Sequence, residues 1–217
     1  MKKLLIFDLD GTLLNTLADL TNSVNFSMEK YHLEKKSQEY VRKAIGNGVF
    51  ILIARCIPNG VDNPKHKEIL DCFRNHYFSH YLDNTVPYDG MVDTLNKIKE
   101  AGYKLAVVSN KIDRVTKDLI NHFFPGIFLV AQGDISSLNK KPHPDMVNHV
   151  LGELKIDRKD ACYIGDTNVD YETATNAKMD VLLVTYGYRT KEEMESYNIS
   201  APSVETPQGI ANYFIKQ

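Results

Sequence analysis

The chain has 217 residues, 43 % of them hydrophobic, enough for one ordinary domain or for one core with a modest insert. Lys and Arg number 26 against 28 Asp and Glu, and the net charge of −2 excludes an overall basic footprint for nucleic acid or an anionic membrane, so any such partner would need a local patch. Three widely spaced cysteines, Cys56, Cys72 and Cys162, with no CxxC pair, exclude a disulfide scaffold and a structural zinc site.

Residues 4–7 form a compact apolar run that Asp8-Leu9-Asp10-Gly11 ends. The run is too short for a signal peptide or a membrane span, so the expectation is a cytoplasmic protein. Residues 16–83 have helical patterning, including a three-and-four-spaced stripe of Ile69, Cys72, Phe73, His76, Tyr77 and His80. Gly46-Asn47-Gly48 and Pro58-Asn59-Gly60 punctuate this stretch, and residues 84–90 read as a return linker. Beyond it, apolar runs at 105–108, 127–130, 161–164 and 181–184 alternate with segments of helical period at 92–101, 113–124, 144–154 and 169–177. Continuous apolar runs suit strands covered on both faces. The alternation predicts an α/β fold, a doubly wound parallel sheet, built from residues 1–14 and 86–217, with a helical insert at 15–85.

Four constellations carry chemistry, each expected near the carboxyl end of a strand, where open parallel sheets bind ligands. In Asp8-Leu9-Asp10-Gly11-Thr12, two close carboxylates repel unless a hard divalent cation, Mg²⁺ above all, relieves them while one oxygen stays free as a nucleophile. Gly11 permits a tight turn and close approach to a ligand, and Thr12 adds a hydroxyl. Ser109-Asn110-Lys111 offers a hydroxyl, an amide and helix-start N–H groups for phosphate oxygens, although Ser and Asn there also suit simple capping. In Lys140-Lys141-Pro142-His143-Pro144-Asp145, Pro144 suits a first helical turn and would hold Lys141 just before it, within reach of a phosphoryl oxygen and a carboxylate. The competing reading is a solvated lysine pair. In Gly165-Asp166-Thr167-Asn168-Val169-Asp170, Asp166 and Asp170 lie one helical turn apart. Asp166 is the better metal ligand or, alternatively, a cap; Asp170 is the better partner for positioning Lys141.

Taken in order, Asp8-Leu9-Asp10-Gly11-Thr12-Leu13, Ser109-Asn110, Lys141-Pro142 and Gly165-Asp166-Thr167-Asn168-Val169-Asp170 resemble the four motifs of the haloacid dehalogenase superfamily of phosphotransferases. Lys141-Pro142-His143-Pro144, Gly46-Asn47-Gly48 and the stretch Gly187-Tyr188-Arg189-Thr190-Lys191-Glu192-Glu193 resemble its phosphoglycolate phosphatase-like branch. The resemblance implies a Mg²⁺-dependent phosphatase with a Rossmann-like core and a mobile helical cap at residues 15–85. It also implies the roles. Asp8 attacks phosphorus and becomes an aspartyl phosphate. Asp10 acts as acid and then base, and its backbone carbonyl joins Asp8 and Asp166 on the metal. Gly11, Thr12, Ser109, Asn110 and Lys141 hold the phosphoryl group. The acid at Asp10 counts against the dehalogenases of the superfamily.

The expected partner is a small phosphorylated metabolite, with 2-phosphoglycolate leading. A pyrophosphatase or a sugar-phosphate phosphatase on the same scaffold is the alternative. A phosphoglucomutase fits less well, because the Thr-Asp and early His usual in those enzymes are replaced by Asn15-Thr16-Leu17-Ala18-Asp19-Leu20, with no His before His32. From another class, a phosphoacceptor signalling module also uses an acidic cluster, a hydroxyl and a lysine, but needs no substrate lid. Selectivity is expected from the insert, where the Asn47 turn with Arg42 and Lys43 could hold a substrate carboxylate. An ordinary surface turn with solvated basic residues is the competing reading. The oligomeric state is left open.

Overall fold

The computed structural model describes residues 2–215. In chain order the elements are β1 (Leu4–Phe7), β2 (Leu14–Asn15), α1 (Leu17–Lys30), α2 (Gln38–Ala44), α3 (Val49–Cys56), α4 (His66–His80), β3 (Val86–Pro87), α5 (Met91–Glu100) and β4 (Lys104–Ile112). There follow α6 (Asp113–Phe123), β5 (Val130–Asp134), α7 (Asp145–Leu154), β6 (Ala161–Gly165), α8 (Asn168–Asn176), β7 (Asp180–Val184), α9 (Lys191–Ser196), β8 (Ser203–Val204) and α10 (Pro207–Ile215). The chain forms two compact units: one runs to Leu14 and resumes at Pro87, and the other spans Asn15–Val86.

The first unit holds a six-stranded parallel sheet in the order β5-β4-β1-β6-β7-β8. The chain starts in the middle, at β1, and winds outward to both edges, which makes the carboxyl end of β1 a switch point where a crevice opens. Register brings the site together: Phe7 lies beside Val107 of β4 and Ile164 of β6. The residues that follow each of them therefore emerge at one edge. Both faces of the sheet are covered, which is why its central strands read as unbroken apolar runs. Leu4 and Ile6 pack with Ala106, Val108 and Tyr163 against Met146, Val147 and Val150 of α7 and Ala174 of α8. Leu5 and Phe7, pointing the other way, are equally buried.

The sheet edges depart from the sequence reading. The strand expected at 127–130 lies instead at Val130–Asp134. The Phe128 ring there packs edge-on against Phe7 and Phe124 at 6.0 and 5.8 Å, whereas the strand itself carries Gln132, Gly133 and Asp134, which send no apolar signal. At the other edge β8 is only two residues long and was not expected at all.

In the second unit, α1 and α4 pack together: the His76 ring stacks on Phe26 at 4.1 Å, and its Nδ1 lies 3.0 Å from Ser23 Oγ. Asp19, 1 % exposed, accepts hydrogen bonds from the backbone N–H groups of Asn84 and Thr85 and from the Thr85 hydroxyl, so the start of α1 is tied to the segment before β3. The two chain crossings, β2 and β3, pair with each other. Among the described residues, no helix is long and apolar enough to cross a membrane.

Candidate active site

The first turn after β1 builds one wall of the site. Asp8 N–H continues the ladder by one bond to the Ile164 carbonyl (2.9 Å), and then the Leu9 carbonyl gathers the N–H groups of Thr12, Leu13 and Leu14 at 3.3, 3.0 and 3.0 Å. This curl turns the chain back on itself. Gly11 sits in it at φ +87°, and a Cβ there would stand 2.3 Å from Asp166 Oδ2, so glycine is needed both for the turn and for the close approach.

Lys141 lies at the centre of the site, its side chain 2 % exposed. Its Nζ is 2.7 Å from Asp170 Oδ1, 2.8 Å from Asp8 Oδ1 and 3.1 Å from the Tyr163 hydroxyl, which itself donates to the Val108 carbonyl at 2.9 Å. The contact with Asp8 is ionic, outside hydrogen-bond alignment. Asn110 fixes the Lys141 backbone from both sides: Nδ2 donates to its carbonyl (2.9 Å) and Oδ1 accepts its N–H (2.8 Å). Asp170 is anchored in turn at the start of α8, where Oδ2 accepts from Asp166 N–H, Thr167 N–H and the Thr167 hydroxyl at 3.2, 3.0 and 2.7 Å, a capping-box arrangement.

Asp166 is fully buried and does not cap the helix. Its Oδ1 accepts from the Thr12 hydroxyl (2.9 Å) and its Oδ2 from Tyr188 N–H (2.7 Å), so each oxygen retains a lone pair for another ligand. Asp8, Asp166 and Asp170 bring carboxylate oxygens within 4.8 Å of one another. Burial pushes the Asp8 carboxyl up to about 7, with Lys141 opposing and Asp170 adding to the rise. Burial, then the charges of Asp170 and Asp8, raise Asp166 well above the usual carboxylate range. Burial alone would lower Lys141, but Asp170 and Asp8 outweigh it and raise the ammonium well above its ordinary value. Asp8 and Asp170 thus share one buried lysine, with the Asp166 carboxylate close by. Such an all-oxygen set with surplus negative charge fits a hard divalent cation. Asp170, whose two oxygens are already taken by Lys141 and the α8 start, is the least able of the three to ligate it.

The structure brings Asp8, Asp10, Gly11, Thr12, Ser109, Asn110, Lys141, Asp166 and Asp170 to one sheet edge, but several of their contacts differ from expectation. The Thr12 hydroxyl, expected on phosphate, gives its hydrogen to Asp166, and the N–H groups of Gly11 and Thr12 already bond the carbonyls of Leu14 (2.9 Å) and Leu9 (3.3 Å). These two residues shape the first turn of the site. The Asn110 side chain holds the Lys141 backbone. Lys111 Nζ lies 2.8 and 3.1 Å from the two oxygens of the Asp10 carboxylate. In the second unit, Glu39 engages Arg42 at 2.7 and 2.8 Å and Lys43 at 3.2 Å, and Asn47 Oδ1 accepts from Arg55 at 2.8 Å.

Sequence reasoning assigned no role to Lys111, Tyr163 or Tyr188. Lys111 had a visible signal as the last residue of Ser109-Asn110-Lys111. Tyr163 lies inside an apolar run, and Tyr188 contributes a backbone N–H, which any residue type except proline supplies.

The family model for haloacid dehalogenase-like hydrolases matches residues 5–184, a span that takes in all four clusters of the site. The chain belongs to the haloacid dehalogenase-like hydrolase family. It is similar to the phosphoglycolate phosphatase of Aquifex aeolicus, 31 % identical over 205 residues and 93 % of each chain. It is also similar to that of Psychrobacter arcticus, 33 % identical over 91 % of this chain and 89 % of the other. A crystal structure from Lactobacillus delbrueckii subsp. bulgaricus, provisionally assigned as a phosphoglycolate phosphatase, superposes with a TM-score of 0.94 at 30 % identity and full coverage of both chains. In this haloacid dehalogenase-like hydrolase, the crevice at the end of β1 therefore belongs to the part of the chain that defines the family.

Proposed function

We propose that the protein is a Mg²⁺-dependent phosphatase that hydrolyses a small phosphorylated metabolite, 2-phosphoglycolate first among candidates, through an aspartyl phosphate on Asp8. The observation that carries this reading is the meeting of buried Asp8 with Lys141 and Asp166 at the end of β1. The phosphoglycolate phosphatase relatives support the substrate class.

In this reading Asp8 attacks phosphorus in line, the P–O bond to the alcohol breaks, and Asp10 gives the departing oxygen a proton. Asp10 then takes a proton from the water that attacks the phosphoryl group on Asp8, which releases phosphate and restores the carboxylate. Ser109, whose Oγ accepts the Lys111 N–H (3.3 Å) and keeps its own hydrogen to donate, and Lys141 stabilise the transferring group. Mg²⁺ would be held by Asp8, Asp166 and the Asp10 carbonyl, and when bound supplies charge neutralisation for the phosphoryl oxygens. Residues 15–85 serve as the cap, with Asn47, Arg42 and Lys43 as candidates for substrate selection. A substrate carboxylate would have to compete with Glu39 for the two cations. The three buried free cysteines suit a reducing compartment, and we place the enzyme in the cytoplasm.

The test is phosphate release with Mg²⁺ from 2-phosphoglycolate, sugar phosphates, pyrophosphate and p-nitrophenyl phosphate. The expected outcome is a kcat/KM for 2-phosphoglycolate about tenfold or more above the others, a difference of ~1.4 kcal/mol. Preference for pyrophosphate or a sugar phosphate would replace the substrate, and a long-lived acyl phosphate without turnover would replace the enzyme by a signalling module.

A further inference from the structure

Lys111 is a buried lysine to which the reaction just described gives no part. Its side chain is 3 % exposed, and its ammonium spans both oxygens of Asp10 at 2.8 and 3.1 Å. We propose that Lys111 is a positioning residue for phosphoryl transfer, keeping its hydrogen bond to one Asp10 oxygen while the other oxygen carries the proton that Asp10 gives to the leaving oxygen and regains from the attacking water. This rests on the reading of Asp10 as that acid.

The backbone around Lys111 is built to aim it. The β4–β5 register breaks between Val108 and Ile112, and within that irregular stretch Lys111 N–H donates to Ser109 Oγ at 3.3 Å while the Thr116 hydroxyl reaches the Lys111 carbonyl at 3.4 Å. Gly133 on β5 lies so close that a Cβ there would stand 2.8 Å from the Lys111 carbonyl oxygen and 2.3 Å from Asp113 Cα. The end of β4 is thus braced from the strand, the following helix and the neighbouring strand.

An aspartate in a turn has two free side-chain torsions, and one ammonium across both oxygens restrains both. Such restraint matters because a misplacement of about 1 Å costs on the order of 100-fold in rate. Stability alone gives no reason for the pair, since a buried ion pair is roughly equivalent to well-packed apolar residues. The two lysines also divide the work. Lys141 contacts Asp8 and Asp170, whereas Lys111 contacts Asp10, so nucleophile and acid are each held by a separate cation.

The experiment measures kcat and KM with Mg²⁺ for phosphomonoesters whose leaving alcohols range from p-nitrophenol to glycolate. The proteins are the parent, Lys111→Met, Lys111→Arg, Asp10→Asn and the double variant Asp10→Asn/Lys111→Met. Lys111→Met should lower kcat about tenfold or more on alkyl phosphates, with KM nearly unchanged and aryl phosphates much less affected, as expected for a displaced acid. Added to Asp10→Asn, it should cost less than about twofold, because residues acting as one unit are not additive. Lys111→Arg should retain most activity, its guanidinium still donating to an Asp10 oxygen. The double variant removes both charges, so no ion is left buried alone, and its circular dichroism and Tm report folding independently of rate. A leaving-group-dependent Asp10→Asn with an additive Lys111→Met effect would overturn the role of Lys111 and leave Asp10 as the acid. An Asp10→Asn loss equal for aryl and alkyl phosphates would overturn the reading of Asp10, and the proposal with it.

Discussion

Asp8 and Lys141 depend on each other chemically. The carboxylate is buried at the end of a hydrophobic strand, where an uncompensated charge is expensive, and the lysine 2.8 Å away is the cation that makes it tolerable. Asp8→Asn nearly preserves shape while removing the nucleophile; turnover should fall by several orders of magnitude with the circular dichroism spectrum retained. Lys141→Met is a different case, because it leaves Asp8 and Asp170 facing each other without their shared ammonium. It should lower stability by about 3–5 kcal/mol in urea unfolding as well as abolish activity. Asp8 and Asp166 could be marked as chemical residues in the sequence because charged groups beside apolar runs are conspicuous, and Lys141 because Pro144 signals a helix start just after it. The Thr12 contact could not, because which acceptor a hydroxyl finds 154 positions away is decided by the packing of β1 against β6.

Among the elements, α8 shows how local sequence can serve a distant group. Thr167 and Asp170 form a capping box, and the same Asp170 carboxylate holds Lys141 with its other oxygen. Thr167→Ala should cost about 0.5–2 kcal/mol in thermal or urea unfolding, the usual range for a lost cap. It should also depress kcat/KM, because Asp170 is freed to rotate; an unchanged kcat/KM would separate the cap from the site. In the insert, Asp19→Ala would strand the backbone N–H groups of Asn84 and Thr85. Its expected cost is about 2–4 kcal/mol in urea unfolding, the order set by losing charged hydrogen bonds at buried donors. The central strands β1, β4, β6 and β7 were legible from their apolar runs, whereas β5 was misplaced because this edge strand runs on through Gln132, Gly133 and Asp134, which carry no apolar repeat. β8 was missed because two residues cannot establish a pattern.

For the molecule as a whole, the acidic crevice couples stability to pH and to metal. Burial holds the Asp8 carboxyl near 7, against an ordinary value of 3.8, so between those values the folded state binds more protons than the unfolded one. The stabilisation linked to this proton is full below the unfolded value and is lost as pH rises through about 7 in the metal-free protein. A divalent cation competes with that proton, so the rise in Tm on adding Mg²⁺ should be small near pH 6 and larger near pH 8. Saturation to about 100 times Kd corresponds to roughly 2.7 kcal/mol. Differential scanning calorimetry with Mg²⁺ or EDTA at the two pH values measures this directly, and equal shifts at both would place the cation away from Asp8.

The sequence by itself determined the parallel α/β class, the helical nature of residues between the first strand and the return linker, and the acidic and basic groups available for chemistry. These follow from local periodicity and from the cost of charges beside buried strands, and neither requires knowing which strands are neighbours. Tertiary structure alone decided the partners. The strand order that places β4 and β6 on either side of β1 brings Lys111 to Asp10, Thr12 to Asp166 and Tyr163 to Lys141. Those pairings join residues more than 20 positions apart through register and side-chain packing, which no one-dimensional pattern encodes.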